Sequence, residues 1–220
     1  MTTASHGSAR DEVLARIRAA RPTEPVRVPR EYRTAPATGT PDDAQSGRRR
    51  LELLVDRLVD YRATVRRSEP DGVAEALAEL LAEVPTVVVP EGVPASWLST
   101  YPGGIRRDGD PGPLTVTDLD APGLAVLTGC AVAIAETGTL ILDGGPDQGR
   151  RLLTLVPDHH VCVVRTDQVV GGLPEALARL ADPTRPLTLV SGPSATSDIE
   201  LDRVEGVHGP RRLEVLIVGG

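Results

Sequence analysis

Hydroxyl side chains that can hold an anion are concentrated in one segment, Ser191–Glu200. Gly192 and Pro193 prevent a strand from continuing there, and the backbone can turn N–H groups towards an anion. The segment follows the apolar run Leu187–Val190, which has the length and β-branched content of a buried strand. Open α/β sheets bind ligands at the carboxyl ends of their strands, so we expect a pocket here. The predicted ligand-binding residues of this segment are Ser191, Gly192, Ser194, Thr196, Asp198 and Glu200.

Two features of this segment leave its role open. Ser197 and Glu200 have the spacing of a capping box, so the hydroxyls could instead satisfy a plain turn that begins a short helix. Unpaired carboxylates at Asp198 and Glu200 would also repel an anion. If an anion binds, Ser194 and Thr196 would hold it, with an arginine as charge partner. The candidate arginines are Arg150, Arg211 and Arg212.

A second chemical candidate is Glu136, in the sequence Glu136-Thr-Gly-Thr139 between two apolar runs. A two-residue turn at Thr137-Gly138 predicts a hairpin in which Ala135 faces Leu140. Glu136 would then stand at the hairpin tip, either as an ordinary exposed turn residue or as a functional carboxylate. Thr137, Gly138 and Thr139 join it as predicted ligand-binding residues.

Two histidines complete the set. His160 lies at the start of the apolar run Val161–Val164, and His208 lies in the glycine loop Gly206–Pro210, which also contains the ligand candidate Gly209. A histidine at a strand edge is more often a structural hydrogen-bonding residue than a base. His160, His208, Asp198 and Glu200 have residue types that suit a metal, but they are scattered rather than arranged as His-x-x-x-His. We therefore predict no metal site and no cofactor.

Composition excludes several function classes. The net charge of -7 argues against nucleic acid or an anionic membrane surface as partner. The sequence contains no lysine, which excludes a Schiff base or a phosphate-loop lysine, and it has no G-x-G-x-x-G for a dinucleotide. Two cysteines cannot supply four ligands to an iron–sulfur cluster. No run is long enough to cross a bilayer and no signal-peptide segment is evident, so we expect a cytoplasmic protein without membrane insertion.

Hydrophobic periodicity predicts a helical first third followed by alternating strands and helices. We expect helices over residues 8–20, 48–67 and 72–84, with a proline-rich connector over residues 21–47. Later strands are predicted at Thr86–Val89, at both arms of the hairpin, at Val161–Val164 and at Leu213–Val218. The predicted organisation is an N-terminal helix and connector over residues 1–47, then one α/β domain over residues 48–220.

Three motifs resemble the signature of the lactate-utilisation (LUD) domain family. They are Ala133-Ile-Ala-Glu-Thr-Gly-Thr-Leu140, the Ser191–Glu200 segment and Gly206-Val-His-Gly-Pro210. The resemblance is strong from Gly129 to Val218, and the lack of cluster cysteines favours the cluster-free subunit type. It implies a sheet with flanking helices like that of the sugar-phosphate isomerase and CoA-transferase superfamily. It also implies a role in oxidising L-lactate to pyruvate beside iron–sulfur partner proteins.

Two function hypotheses follow. The first is a subunit without a cluster of its own, which binds a small carboxylate or phosphate-bearing ligand and docks to iron–sulfur proteins. The second is an acyl- or CoA-transferase-like enzyme with Glu136 as nucleophile and His160 or His208 as proton carrier. The second rests mainly on analogy at the level of fold.

Overall fold

The computed structural model describes residues 9–20, 28–29, 44–182, 184–196, 204–205 and 209–219. The chain divides into two units, Met1–Arg33 and Thr34–Gly220. The first contains helix α1 (Ala9–Ala19), with acidic residues in its first turn and arginines in its last, which confirms the predicted helix. Among the helices of the described ranges, none combines the length and apolar character needed to cross a membrane.

The second unit is built around a six-stranded parallel sheet. Its strands are β1 (Thr64–Ser68), β2 (Thr86–Val89), β3 (Gly104–Arg107), β4 (Leu124–Thr128), β7 (His159–Arg165) and β12 (Arg212–Val218). Their spatial order is β1-β12-β7-β4-β2-β3. Strands β4, β7 and β12 each contain an unbroken apolar run, as expected for parallel strands that are covered on both faces. The predicted α/β class, a sheet with flanking helices, is confirmed, and the main sheet is parallel.

A four-stranded sheet of order β8-β5-β6-β9 forms a second layer. It contains β5 (Val132–Ile134), β6 (Thr139–Leu142), β8 (Val169–Val170) and β9 (Thr188–Val190). The predicted hairpin is present, but its register is wrong by two residues, because Ala133 rather than Ala135 faces Leu140. The backbone N–H groups of Ala135 and Glu136 instead donate to Val170 and Gly171 of the β8 segment. A shift of two residues leaves every side chain on its predicted face.

Helices cover both faces of the main sheet. Helix α3 (Val73–Leu80) packs on one face, where the apolar core includes Leu77, Val163 and Leu216. Helix α2 (Ala44–Asp60) and the small sheet pack on the other face, where Leu54 and Leu58 are fully buried. The described part of the unit also contains two short helices, α4 (Val116–Leu119) and α5 (Leu173–Arg179), and the antiparallel pair β10 (Ala195–Thr196) and β11 (Val204–Glu205).

Two predictions about elements were wrong. The helix predicted over residues 48–67 begins earlier, at Ala44, and ends at Asp60, because Arg62 has a positive φ of 69° that breaks the helix. The chain then forms strand β1, which pairs with β12 and includes Val65. The run Leu187–Val190 is not a buried strand. Its last three residues, Thr188–Val190, form β9, the antiparallel edge strand of the small sheet, where Leu189 is 54% exposed.

Candidate functional site

Two adjoining cavities, of about 960 Å³ and about 270 Å³, lie in the second unit. They share three lining residues, Arg151, Thr154 and Thr188. The first two belong to a 3₁₀ turn at Arg151–Thr154, and Thr188 begins the edge strand β9. The cavities therefore form one cleft between this turn and the edge of the small sheet.

The larger cavity lies at the carboxyl end of the main sheet. The chain runs from β2 to β3 on one side and then places β4 on the other side of β2, which makes the carboxyl end of β2 a topological switch point. Pro90, Glu91 and Gly92, which directly follow β2, line the cavity. Position 92 has no room for a side chain, because a Cβ there would lie only 2.5 Å from the carbonyl carbon of Pro146. Pro146 belongs to the loop that forms the opposite wall. This is the position at which open α/β sheets bind ligands.

The wall of the larger cavity opposite β2 is the glycine-rich loop Gly144–Gly149. Gly144 and Gly149 adopt positive φ angles of 69° and 68°, which favour glycine. Arg150 follows the loop and donates through Nε to Asp108 Oδ2 at 2.7 Å. Its hydrogen bonds hold the pKa of Asp108 below the ordinary value. Arg150 and Asp108 thus neutralise one another and fix the end of the loop.

The smaller cavity contains five of the sequence-predicted site residues. They are His160, Ser191, Gly192, Ser194 and Gly209. The N–H of Ser194 donates to the Pro210 carbonyl at 2.7 Å, which holds the Ser191–Ser194 segment against the chain that leads into β12. The structure thus brings the hydroxyl-rich segment and part of the Gly206–Pro210 loop to one place. This pocket lies at the end of an antiparallel edge strand, however, and not at the carboxyl end of a buried strand as predicted.

His160 occupies the inner part of the smaller cavity and is 1% exposed. Its Nε2 lies 2.8 Å from the hydroxyl oxygen of Thr128 on the neighbouring strand β4. Burial, together with the nearby His159, lowers the pKa of His160 from 6.5 to about 3. The imidazole is therefore neutral near pH 7 and contributes hydrogen-bonding capacity rather than charge.

The two motif loops meet at the carboxyl-terminal end of α2. Thr139 Oγ1 lies 2.8 Å from Ser191 Oγ and 2.7 Å from Thr137 Oγ1, so three predicted residues form a chain of hydroxyls. Gly138, with φ 61°, fits against α2 because a Cβ there would lie 2.7 Å from Arg57 Cβ. Gly192, with a φ of 86°, is required for the same reason, because a Cβ there would lie 2.7 Å from Tyr61 Cβ. One helix end therefore positions both loops.

Glu136 lies in the same turn but lines neither cavity. It follows β5, and its carboxylate lies close to Gly172, the residue just before α5. A Cβ added at Gly172 would lie 3.0 Å from Glu136 Oε2. β5 ends where β6 begins and where β9 ends, so Glu136 is at the same end of the small sheet as Ser191. Its role as a nucleophile stays a prediction.

The other predicted residues fall into two groups. Asp198, Glu200 and His208 lie outside the described residues, and of Thr196 only the backbone, in β10, is described. Arg211 binds Asp158 through two hydrogen bonds, one of them 3.0 Å long, and Arg212 Nε donates to Glu214 Oε1 at 2.9 Å. Within the described ranges, no group of three His, Cys, Asp or Glu side chains suits a metal ion.

His159 lies next to His160 but on the other face of the sheet, where it forms a polar cluster with the buried Glu214 and the half-exposed Arg212. His159 Nε2 lies 3.5 Å from Glu214 Oε2, and Glu214 is 2% exposed. Burial alone would raise the pKa of Glu214, but its interactions with His159 and Arg212 outweigh burial and lower it. None of the three residues lines the cleft.

Sequence reasoning missed two parts of the cleft: the cavity at the β2 carboxyl end and Arg151. A signal for the first was present, since Gly144-Gly-Pro-Asp-Gln-Gly149 followed by arginine is a glycine-rich loop after an apolar strand. Arg151 could not be separated from Arg150 by type or spacing, because only the fold shows that Arg150 is already paired.

Residues 124–218 match the LUD domain, which covers β4 to β12 and the whole smaller cavity. Lactate utilization protein C of Deinococcus radiodurans is 51% identical over 172 residues, or 77% of this chain and 79% of that protein. The chain belongs to the LUD domain family.

Two further similarities accompany this LUD-family assignment. A DUF162 family protein from Deinococcus radiodurans, known from a crystal structure, aligns with a TM-score of 0.68 and 44% identity over 79% of this chain and 98% of that chain. Lactate utilization protein C of Bacillus licheniformis is 34% identical over 95 residues, which are 40% of this chain and 39% of that protein. The predicted family and its α/β fold are thereby confirmed.

Proposed function

We propose that this LUD-family chain takes part in the utilisation of L-lactate. The observation that carries the proposal is its 51% identity, over 77% of its length, to a protein named lactate utilization protein C. The match spans more of the chain than the LUD domain alone, which covers residues 124–218. Similarity of this extent supports a shared role as well as a shared fold.

We further propose that the chain binds a small carboxylate in the smaller cavity. Its volume of about 270 Å³ suits a ligand smaller than the drug-sized molecules that fill cavities of roughly 300 to 1,000 Å³. The lining offers hydroxyl groups from Thr154, Thr188 and Ser191, together with the imidazole of His160. These groups can hydrogen-bond a hydroxyl or carbonyl oxygen next to a carboxylate.

The electrons of lactate oxidation need an acceptor, and we propose that iron–sulfur partner proteins provide it. The sequence has two cysteines, and both are buried, Cys130 at 1% and Cys162 at 0% exposure. A cluster held by cysteines needs four thiolates. Iron–sulfur chemistry would therefore belong to the partners and not to this chain.

Deletion of the gene in its native host tests the role. We expect loss of growth on L-lactate as sole carbon source, normal growth on pyruvate, and restoration by the wild-type gene. Growth on lactate at the wild-type rate after deletion, in a strain with no second copy, would contradict the proposal.

Affinity purification from lactate-grown cells tests the partners. A tagged chain should retain proteins that show the visible absorption of iron–sulfur clusters. The matched control is the same tagged chain from cells grown on pyruvate. Recovery of the chain alone under both conditions contradicts the partner proposal and leaves the growth test unaffected.

A further inference from the structure

The lining of the smaller cavity has an unusual charge pattern. Among its described residues, one side chain carries a formal charge at neutral pH, that of Arg151, and there is no carboxylate. The remaining lining residues are hydroxyl-bearing, apolar or backbone-exposing, apart from the buried imidazole of His160. A single cation surrounded by neutral hydrogen-bonding groups is complementary to a monovalent anion.

The arginines considered from sequence are already occupied by carboxylates. Arg150 pairs with Asp108, Arg211 with Asp158 and Arg212 with Glu214. Using any of them for a ligand would require breaking an existing ion pair. Arg151, in contrast, makes no side-chain hydrogen bond or ion pair within the part of the chain that the structure describes. Its guanidinium is therefore available at the cleft without that cost.

Arg151 is also held in place by its backbone. Its carbonyl accepts a hydrogen bond from Thr154 Oγ1 at 3.3 Å, within the 3₁₀ turn that contains both residues. Leu153 of the same turn is fully buried against Val88 and Val126 of the main sheet. The turn is thus anchored on the sheet, and it presents Arg151 and Thr154 to both cavities.

We infer that Arg151 is the anion-binding residue of the smaller cavity and that it pairs there with the carboxylate of a small 2-hydroxy or 2-oxo acid. This inference rests on the proposed binding of a small carboxylate and assigns the residue responsible. The oxygen at the second carbon of such an acid would lie among the hydroxyl groups of Thr188 and Ser191 and the His160 ring. A guanidinium suits this role because it can donate two parallel hydrogen bonds to a carboxylate.

Side-chain NMR of protein labelled with ¹⁵N-arginine tests the assignment directly. Loss of one Nε–Hε signal in Arg151→Gln identifies the Arg151 resonance, and Arg67→Gln identifies a control. Arg67 is exposed on strand β1, and it too has no side-chain partner among the described residues. The probes are sodium L-lactate, sodium pyruvate, inorganic phosphate and sodium chloride at matched ionic strength.

We expect lactate or pyruvate to shift the Arg151 signal saturably, and to leave the Arg67 signal at the position it has in sodium chloride. Arg151→Gln should weaken binding of the same acid at least tenfold by calorimetry, whereas Arg67→Gln should leave it unchanged. Equal responses of Arg151 and Arg67 to every probe would overturn the inference. A saturable shift with phosphate alone would overturn the assignment to a carboxylate.

The outcomes separate this inference from the function on which it rests. Saturable binding of lactate or pyruvate that shifts a different arginine signal leaves the proposed function intact and refutes the role of Arg151. Loss of growth on lactate in the deletion strain, restored equally by the wild-type and Arg151→Gln genes, also refutes that role. Restoration by the wild-type and Arg67→Gln genes, with failure of Arg151→Gln expressed at the same level, supports it.

Discussion

The two faces of the main sheet are built from the same strands but are covered differently. On one face, α3 packs directly on an apolar core that includes Leu77, Val163 and Leu216. On the other, the small sheet and the Arg151–Thr154 turn leave a cleft between them. The adjacent histidines show the difference, because His159 lies beside the buried Glu214 whereas His160 lines the cleft. On the cleft face the covering layer consists of separate pieces, and the gap between the small sheet and the Arg151–Thr154 turn leaves room for a ligand.

The largest expected effect concerns packing on the closed face. Leu77→Ala removes a fully buried side chain and should lower the free energy of unfolding by about 2 to 5 kcal/mol. Leu189→Ala, at a side chain of the cleft that is 54% exposed, should change it by less than about 0.5 kcal/mol. Urea denaturation of both variants measures the contrast. Similar losses in the two variants would show that the edge strand of the cleft is packed as tightly as the core under α3.

The next effect is a dependence of stability on pH. The unfolded chain binds a proton at His160 below pH 6.5, while the folded chain does so only near pH 3, so stability falls as pH decreases through this range. Between pH 6.5 and 4.5 this loss should be about 2 to 3 kcal/mol, at roughly 1.4 kcal/mol per pH unit. His160→Asn should flatten the curve in that interval.

Glu214 on the closed face adds a separate contribution. Its pKa is lowered from 4.5 in the folded chain, so its stabilisation is complete above pH 4.5 and is lost as pH falls further. Glu214→Gln should therefore alter the curve below pH 4.5 and leave the slope due to His160 in place. If His160→Asn and Glu214→Gln changed the dependence of stability on pH in the same interval, the assignment of one interval to each residue would be wrong.

A smaller effect is expected where the motif loops meet α2. Gly138→Ala places a Cβ 2.7 Å from Arg57 Cβ at a positive φ and should cost about 1 to 3 kcal/mol. It should also weaken ligand binding, because Thr139 next to it holds Ser191. The matched control is Gly47→Ala within α2, where nothing lies within 4 Å of the added Cβ. This control should raise the free energy of unfolding by about 0.5 to 1 kcal/mol. Thermal unfolding and calorimetry with pyruvate measure both.

The smallest effect on stability is expected for a substitution of Arg151. Arg151→Gln removes an exposed side chain that has no partner in the described part of the chain, so the free energy of unfolding should change by less than about 0.5 kcal/mol. Chemical denaturation checks this value. A loss above 1 kcal/mol would indicate that Arg151 supports the fold instead of remaining available for a ligand.

Much of the fold could be predicted from the sequence because its strands are short apolar runs. Thr86–Val89 and the two hairpin arms were identified in this way, and the parallel core strands β7 and β12 were found within a few residues of their ends. The end of α2 was missed because the apolar spacing continues through Val65, and nothing local marks the turn at Arg62. The hairpin register was missed because pairing with β8, a contact distant in sequence, decides it.

The site could be predicted only in part, because residue types are visible in the sequence whereas strand pairing is not. The types of Ser191, Ser194 and His160 indicated a polar pocket, and these residues do line one cavity. The placement of β9 at the edge of a separate sheet depends on pairing with β6, so the cavity walls could not be derived from local pattern. Choosing among four arginines required knowing which carboxylates lie beside them, and that information exists only in the folded chain.

The contact of both motif loops with one helix end has a practical consequence for expression. A fragment that starts after Tyr61 would keep all the strands of both sheets, yet it would lack the surface against which Gly138 and Gly192 are fitted. Screening such a shortened protein for ligands would test misplaced loops, and a negative result would say nothing about the intact chain.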